Sequence, residues 1–294
     1  MIRKLFALLL IAAACVATSG PAFADSQPVV IGSTNFPEQL IVANIYAKVL
    51  KARGIPVEKR LNLGTREVVF PALKAGEIDL LPEYTGAVLS YLTKGHPGKQ
   101  TDQTVLKALR KHLPDGIVAL EASPAEDKDT LVVTQATADE YQLETMSDLA
   151  PVASKLVMGG PPEDKTRYVG LRGLQEVYGI KFKGFRSLDP GGPLTTAALD
   201  AGSIDVARMF TTQGIIQTKG WVVLKDDQHL VAGQHLIPIV RKAVLTPAIS
   251  KALNAVSQTL TTEQLQAMNK RVMVDKADPQ TVAETWVKQH QLSE

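Results

Sequence analysis

The sequence contains few residues of the kinds that serve most often in catalysis and metal binding. Among its 294 residues there is one cysteine, Cys15, and the five histidines are scattered. Cys15 lies in an N-terminal segment that we expect to be removed, which would leave the mature chain without a disulfide, a thiolate nucleophile or a cysteine-based metal site. The patterns HExxH, GxSxG and SxxK are absent as well. The sequence therefore predicts no metal, no cofactor and no enzyme, although a catalytic triad assembled in space would leave no such pattern.

Long apolar runs are confined to the N-terminus. Two basic residues at 3–4 precede an apolar run over 5–16, and Ala-Phe-Ala at 22–24 provides an A-x-A cleavage site. This order is typical of a secretory signal peptide. We expect cleavage after Ala24 and a periplasmic protein, with lipid anchoring through Cys15 as the alternative. No other stretch has about 18 consecutive apolar residues, so the sequence predicts no other membrane-spanning segment.

The chain also has little net charge. Its formal charge is +2, and removal of the first 24 residues takes away Arg3 and Lys4. The mature chain is then close to neutral, with charges of both signs scattered along it. This distribution gives no electrostatic reason to expect nucleic acid as a partner.

Strand and helix patterns alternate in the first part of the chain. The stretches 28–33, 57–64 and 78–84 are typical of strands, whereas 37–54 and 65–76 have the apolar spacing of helices. A βαβαβ series of this kind predicts a parallel sheet with right-handed crossovers.

The same order of elements recurs 126 residues later. ALKAGEID at 72–79 matches ALDAGSID at 198–205, and at this offset Tyr84 falls on Phe210. We therefore predict two similar α/β lobes. Ligands of open α/β sheets bind outside the carboxyl ends of the strands, which places the site in a cleft between the lobes. Closure of such a cleft buries a small ligand.

Two extended segments, 129–141 and 235–245, follow the two units and are expected to form a two-strand hinge. The helical tail that comes after them is expected to pack on the first lobe. The predicted domains are lobe 1, from residues 25–128 and 238–294, and lobe 2, from residues 129–237.

Three stretches resemble one family of binding proteins. They are GSTNFPEQLIVANIYAKVL (32–50), NLGTREVVFPALKAGEIDLLPEYTG (62–86) and GLRGLQEVYGIKF (170–182). They are similar to the OpuAC-type binding proteins of ABC importers for glycine betaine, choline, carnitine and related osmolytes, and the resemblance covers essentially the whole mature chain. It implies a type II periplasmic binding protein fold without catalysis. The implied partners are a small solute and an ABC permease with its ATPase at the inner membrane, for a chain that we expect to be a monomer.

The resemblance also implies an aromatic cage for a quaternary ammonium, with polar and basic groups holding a carboxylate. A quaternary ammonium has no N–H donors, so ring faces must attract it, by about 0.5–2 kcal/mol each when desolvated. Tyr84 matches the family's tyrosine in PEYTG, Gln39 matches a glutamine, and Arg167 matches an arginine that could clamp a carboxylate with both arms of its guanidinium. The other candidate ligand-binding residues are Thr34, Asn35, Phe36, Thr85, Asp129, Phe210 and Thr211.

Several family positions differ in this chain. A lysine is replaced by Thr34, aromatic positions are occupied by Leu131 and one of the threonines at 195–196, and Ala87 follows PEYTG. These differences leave three alternatives. The chain could bind betaines or choline with a reduced cage, bind another small carboxylate or amino-acid derivative through Arg167, or serve a ligand-free or signalling role. A periplasmic enzyme is the rival from another class.

Overall fold

The computed structural model describes residues 27–98 and 100–292. It is an α/β structure with two five-stranded mixed sheets, each flanked by helices. The expected signal peptide, its cleavage after Ala24 and the alternative anchor Cys15 lie outside the described residues. Within the described ranges no helix has the length and apolar character needed to cross a membrane.

The described residues contain ten strands and eleven α-helices. The strands are β1 Val29–Gly32, β2 Val57–Arg60, β3 Leu80–Tyr84, β4 Ile117–Ala119, β5 Asp129–Val133, β6 Val157–Gly160, β7 Gly184–Ser187, β8 Val206–Phe210, β9 Val222–Leu224 and β10 Leu236–Arg241. The helices are α1 Pro37–Ala52, α2 Arg66–Ala75, α3 Thr85–Leu92, α4 Asp102–His112, α5 Gln135–Tyr141, α6 Gly173–Tyr178, α7 Pro193–Asp200, α8 Ile215–Lys219, α9 Pro247–Thr259, α10 Thr262–Met273 and α11 Pro279–Gln289.

The two sheets follow one plan. The first has the strand order β2-β1-β3-β10-β4 and the second has the order β7-β6-β8-β5-β9. In each, the first three strands in this order are parallel, as the βαβαβ pattern predicts, and the next strand is antiparallel to them. The prediction of two similar α/β lobes is thereby confirmed.

The repeated ALxAGxID motif has the same structural role in both lobes. Its glycine ends a helix with a positive φ, 82° at Gly76 and 65° at Gly202, which a residue without a Cβ adopts most easily. Its aspartate then binds the neighbouring strand. Asp79 Oδ2 accepts a hydrogen bond from the backbone of β1 at 2.9 Å, and Asp205 Oδ2 accepts one from β6 at 2.7 Å. The motif therefore joins a helix to a parallel strand and fixes that strand's neighbour.

The chain crosses between the sheets twice, at 120–128 and 225–235. Glu126 and His235 form an isolated antiparallel bridge, so the two crossings lie side by side in the manner of a hinge. The predicted connectors therefore begin too late. Their apolar residues belong to β5 and β10, the strands that follow each crossing and are buried within the sheets. The exact domain boundaries given above stay a prediction.

The C-terminal helices cover one face of α1. Ile41 and Ile45 of α1 belong to the same buried cluster as Leu253 and Trp286 of the tail. Each tail helix is capped by the residue before it, whose side chain accepts a hydrogen bond from a backbone N–H in the first turn. At Asp278, for example, Oδ1 accepts from the backbone N–H of Thr281 at 2.8 Å. The tail thus completes the core around the first sheet.

Candidate functional site

Three aromatic rings from both lobes meet where β3 and β8 end. Tyr84 is the last residue of β3, Phe210 is the last of β8, and Phe36 directly precedes α1. The Phe36 ring centroid lies 5.1 Å from that of Phe210 and 6.3 Å from that of Tyr84, with interplanar angles of 17° and 23°. We call these three rings the ring stack. Tyr84 and Phe210 do lie on facing sides of the cleft, but Phe36 stands between them.

The ring stack borders a small cavity of about 50 Å³, which we call the inner chamber. Seven of the predicted site residues line it: Thr34, Asn35, Phe36, Tyr84, Asp129, Arg167 and Phe210. The remaining lining residues are Thr65, Arg66, Ala87, Asp127, Glu163, Pro190 and Gln234. The chamber thus combines aromatic, acidic and basic side chains from both lobes.

Three predicted site residues lie away from the chamber walls. Thr85 is buried and donates a hydrogen bond to the carbonyl of Gly233 at 2.8 Å, so its hydroxyl fixes the second crossing. Thr211 accepts a hydrogen bond from the backbone N–H of Lys128 at 2.9 Å, which joins β8 to the first crossing. Gln39 is buried in the first turn of α1. Thr85 and Thr211 directly follow β3 and β8, and their hydroxyl groups bind the two crossings rather than line the chamber.

Thr34 lies at the chamber wall with an unused hydroxyl. Its side chain is 5% exposed, and its Oγ1 has no hydrogen-bond partner among the residues that the structure describes. A buried polar atom in this state costs free energy unless a bound group or water satisfies it. Thr34 is therefore suited to contact a polar part of a ligand.

An ion pair joins the two lobes across the cleft. Arg167 donates from Nε to Glu67 Oε1 at 3.0 Å and from Nη2 to Glu67 Oε2 at 2.9 Å, and Glu163 Oε1 lies 3.7 Å from the same guanidinium. We call the Arg167–Glu67 pair the interlobe bridge. Partial burial alone would raise the pKa of Glu67, but the hydrogen bonds and charge of Arg167 lower it to about 2. The bridge is therefore ionised throughout the pH range in which the protein would work.

The second arginine of the chamber is also paired. Arg66 donates from Nε and Nη2 to the two carboxylate oxygens of Glu83, at 2.7 and 2.8 Å. Glu83 is almost fully buried, and Arg66 is mostly buried. Both guanidinium groups that line the inner chamber are thus bound in a bidentate manner by protein carboxylates.

Behind the ring stack, two buried carboxyl groups share one threonine. Thr212 Oγ1 lies 2.6 Å from Glu38 Oε2 and 2.9 Å from Asp127 Oδ1. Tyr84 donates its hydroxyl hydrogen to Glu38 Oε1 at 2.6 Å, and Asn269 Nδ2 donates to Glu38 Oε2. These residues come from α1, the first crossing, lobe 2, β3 and α10, so the cluster joins both lobes and the hinge.

The environment of this cluster favours protonation. Burial, partly offset by hydrogen bonds from Thr212 and Tyr84, raises the pKa of Glu38. Burial and the negative charge of Glu38 raise the pKa of Asp127 well above its ordinary value. A threonine hydroxyl has one hydrogen, so it can donate to only one of the two carboxyl groups. The other contact is a hydrogen bond only when that carboxyl group carries a proton.

A buried arginine supports the chamber from the lobe 2 side. Arg208 is 1% exposed; its Nε donates to Asp164 Oδ2 at 3.2 Å, and its Nη1 lies 4.0 Å from Asp129 Oδ1. Arg208 also donates to the carbonyl of Val169. Burial raises the pKa of Asp164 to about 6, against the opposing effect of the Arg208 charge. The Arg208 guanidinium therefore links the segment after β6, which contains Asp164 and Val169, to the start of β5 at Asp129.

A larger cavity of about 250 Å³, the outer chamber, adjoins the inner one. The two chambers share the lining residues Arg66, Ala87, Asp129, Arg167 and Gln234. The outer chamber is also lined by Glu67, Ser90, Tyr91, Lys94, Gly95, Thr166, Tyr168, Val169 and Arg172. Because Arg167 lines both chambers and Glu67 lines the outer one, the interlobe bridge lies where they meet. Within the described ranges, no group of three or more His, Cys, Asp or Glu side chains is arranged to hold a metal ion.

Sequence reasoning missed several residues of this region: Glu38, Glu67, Asp127, Thr212 and Asn269. Glu38 lies in the first turn of α1, directly after the loop that follows β1, and an acid in the first turn after a strand-end loop is a usable signal. Thr212 follows the predicted Thr211 directly, so the error there is one residue. Asn269 comes from the tail, and only the packing of α10 on lobe 1 reveals its place.

Two α/β lobes, two adjacent crossings and a chamber lined from both sides define a substrate-binding protein of the periplasmic binding protein type. The family model described as "Substrate binding domain of ABC-type glycine betaine transport system" matches residues 27–289. The chain belongs to this family, whose members are substrate-binding proteins of ABC transporters.

Individual relatives are similar over nearly their whole length. The glycine-betaine-binding protein of Pseudomonas aeruginosa is 28% identical, with 95% of this chain and 93% of the relative covered. The glycine betaine-binding protein YehZ of Escherichia coli is 27% identical, with 90% and 91% covered. A crystal structure of a glycine betaine/carnitine/choline ABC transporter has a TM-score of 0.71 at 23% identity, with 90% of this chain and 100% of that chain covered. The type II periplasmic binding protein fold predicted from the sequence is confirmed.

Proposed function

We propose that this protein is a periplasmic receptor that captures a small quaternary ammonium or zwitterionic solute, of the choline or glycine betaine type, in the inner chamber. Closure of the lobes retains the solute, and the closed form delivers it to an ABC permease driven by its ATPase. The protein acts as a monomer, does not change its ligand chemically, and reaches the periplasm by cleavage of the signal peptide after Ala24. The names of its curated relatives support the ligand class.

One observation carries the proposal: the ring stack and acidic side chains border the same small chamber. Aromatic faces attract a cation that has no hydrogen to donate. Asp129 lines the chamber beside the rings, whereas both lining arginines are already paired. Phe36 and Phe210 are in stacking contact, so a cation would meet the surfaces of the stack that border the chamber.

A comparison of choline with its uncharged isostere tests the proposal. In 3,3-dimethyl-1-butanol a carbon replaces the quaternary nitrogen, so the shape is kept and the charge is lost. A ligand that binds only the folded state raises the unfolding midpoint by mass action. We expect choline or glycine betaine to raise the midpoint at millimolar concentration and the isostere to have a much smaller effect. Equal shifts for choline and the isostere, or no shift with any cation, would contradict the proposal.

Loss of the central ring is expected to weaken cation binding. Phe36→Ala removes the ring that contacts both Tyr84 and Phe210, and we expect about a 10- to 100-fold lower affinity for choline in titration calorimetry. Phe36→Leu is the matched control, because it keeps apolar bulk without a ring face. It should lose most of the same affinity. A leucine variant that binds like the parent protein would show that the ring face at Phe36 plays no part.

A further inference from the structure

A carboxylate ligand would meet a competitor inside the protein. The guanidinium best placed to hold it is that of Arg167, which lines the inner chamber from lobe 2. Its Nε and Nη2 already donate to both carboxylate oxygens of Glu67, at 3.0 and 2.9 Å. This is the arrangement by which an arginine binds a ligand carboxylate. Glu67 therefore occupies the position that the carboxylate of a zwitterion would take.

Displacing Glu67 would have two costs for such a ligand. Glu67 belongs to α2 of the first lobe and Arg167 to the second, so the bridge helps to hold the cleft closed. In addition, Glu67 accepts a hydrogen bond from Thr65 at 2.7 Å, which fixes its carboxylate in place. A cation that carries no carboxylate leaves these contacts intact.

The other arginine of the chamber offers no substitute. Arg66 is held by both oxygens of the buried Glu83, and a ligand that drew Arg66 away would leave this carboxylate buried without its counter-ion. The chamber walls add the carboxylate of Asp129, which attracts a cation and repels a carboxylate.

We propose that Glu67 is a specificity-determining residue, which occupies the carboxylate site of Arg167 and makes the closed cleft select cations without a carboxylate over zwitterions. This inference rests on the proposed function, since it concerns which members of that ligand class bind best. In chemical terms, the preferred ligand is a quaternary ammonium with a neutral polar tail, for which Thr34 offers a hydroxyl.

The affinities of choline and glycine betaine, measured by titration calorimetry, test the inference in the parent protein, Glu67→Gln and Glu58→Gln. Glu58 forms a surface pair with Arg60 at 2.7 Å in the same lobe, outside the cleft, so its variant makes the same charge change as a control. Glutamine at 67 keeps the shape but cannot neutralise Arg167. Loss of the bridge weakens closure for both ligands alike, so the ratio of the two affinities is the readout.

We expect the parent protein to bind choline more tightly than glycine betaine. In Glu67→Gln the ratio should shift by about tenfold toward glycine betaine, the effect of one charge-assisted contact, and in Glu58→Gln it should stay unchanged. An unchanged ratio in Glu67→Gln, or a parent protein that prefers glycine betaine, would overturn the role of Glu67 while leaving the proposed function intact. If the parent protein binds neither ligand, the proposed function fails, and this inference fails with it.

Discussion

Replacement of Asp164 by alanine is expected to lower the free energy of unfolding by about 3–5 kcal/mol, because it leaves the guanidinium of Arg208 buried without its counter-ion. Arg208 is 1% exposed, so water cannot take the place of the lost carboxylate. The remaining carboxylate, that of Asp129, lies 4.0 Å away, and its movement toward Arg208 would disturb the inner chamber. Urea unfolding, followed by circular dichroism, measures the change.

Two further variants serve as comparisons for the loss of stability expected in Asp164→Ala. Glu58→Ala breaks an exposed ion pair with Arg60 and should cost no more than about 1 kcal/mol. Asp164→Asn keeps the shape and one acceptor but not the charge, and its cost should lie between those of the two alanine variants. A loss below about 1 kcal/mol for Asp164→Ala would show that Arg208 relaxes into solvent or finds another partner.

Choline binding is expected to weaken as pH rises, by up to about tenfold per pH unit. In the closed arrangement, burial raises the pKa of Glu38 above its ordinary 4.5 and that of Asp127 well above its ordinary 3.8. Separation of the lobes would take the Thr212 hydroxyl away from Glu38 and admit water, so the pKa values of both carboxyl groups would fall toward the ordinary ones. Closed protein thus binds more protons than open protein between those limits. The extra stability of the closed form is complete when the pH is below the ordinary pKa values of these groups. It is lost as the pH rises through the raised pKa values of the closed form.

Calorimetric titrations with choline between pH 5 and 8 measure this linkage. Choline keeps its charge over the whole range, so a change in affinity belongs to the protein. The charged and titratable groups that the cluster faces are Tyr84 on β3, which burial and the charge of Glu38 keep protonated, and Asp129 on β5. The double variant Glu38→Gln, Asp127→Asn should bind choline with a flat pH profile. A parent profile that is flat, or that rises with pH, would contradict proton-linked closure.

The repeat in the sequence predicted the plan of the fold because it records backbone requirements. The helix must end with a positive φ, which favours glycine, and the next strand needs a carboxylate that accepts from its neighbour's N–H, which favours aspartate. Both residues occur at the same spacing at 76–79 and 202–205. The position of the hinge was harder to predict from the sequence. The crossings are short and mixed in composition, whereas β5 and β10, which come next, have the apolar residues that draw attention.

The site shows a similar limit. Tyr84 and Phe210 were predicted because an aromatic residue at the end of a strand can be recognised from the sequence, and Phe36 lies in the loop between β1 and α1, where ligands of such sheets bind. The partners of the charged groups were not found, since Glu67 meets Arg167, and Glu38 meets Thr212, only when two lobes far apart in sequence come together. The sequence thus predicted Arg167 as a clamp for a ligand, whereas the structure places a carboxylate of the protein in that clamp.

The strand order of the two sheets has a consequence for the way the chain assembles. All five strands of the second sheet come from residues 129–224, so this half can form once that stretch is free. The first sheet pairs β3 with β10, which lies more than 150 residues further along the chain, and one face of α1 is covered by helices that end at Gln289. Pairings so distant in sequence form slowly. During synthesis the first lobe would therefore stay incomplete, with the apolar face of α1 exposed, until the last helix has been made, and this half is where chaperones and proteases would meet the immature protein.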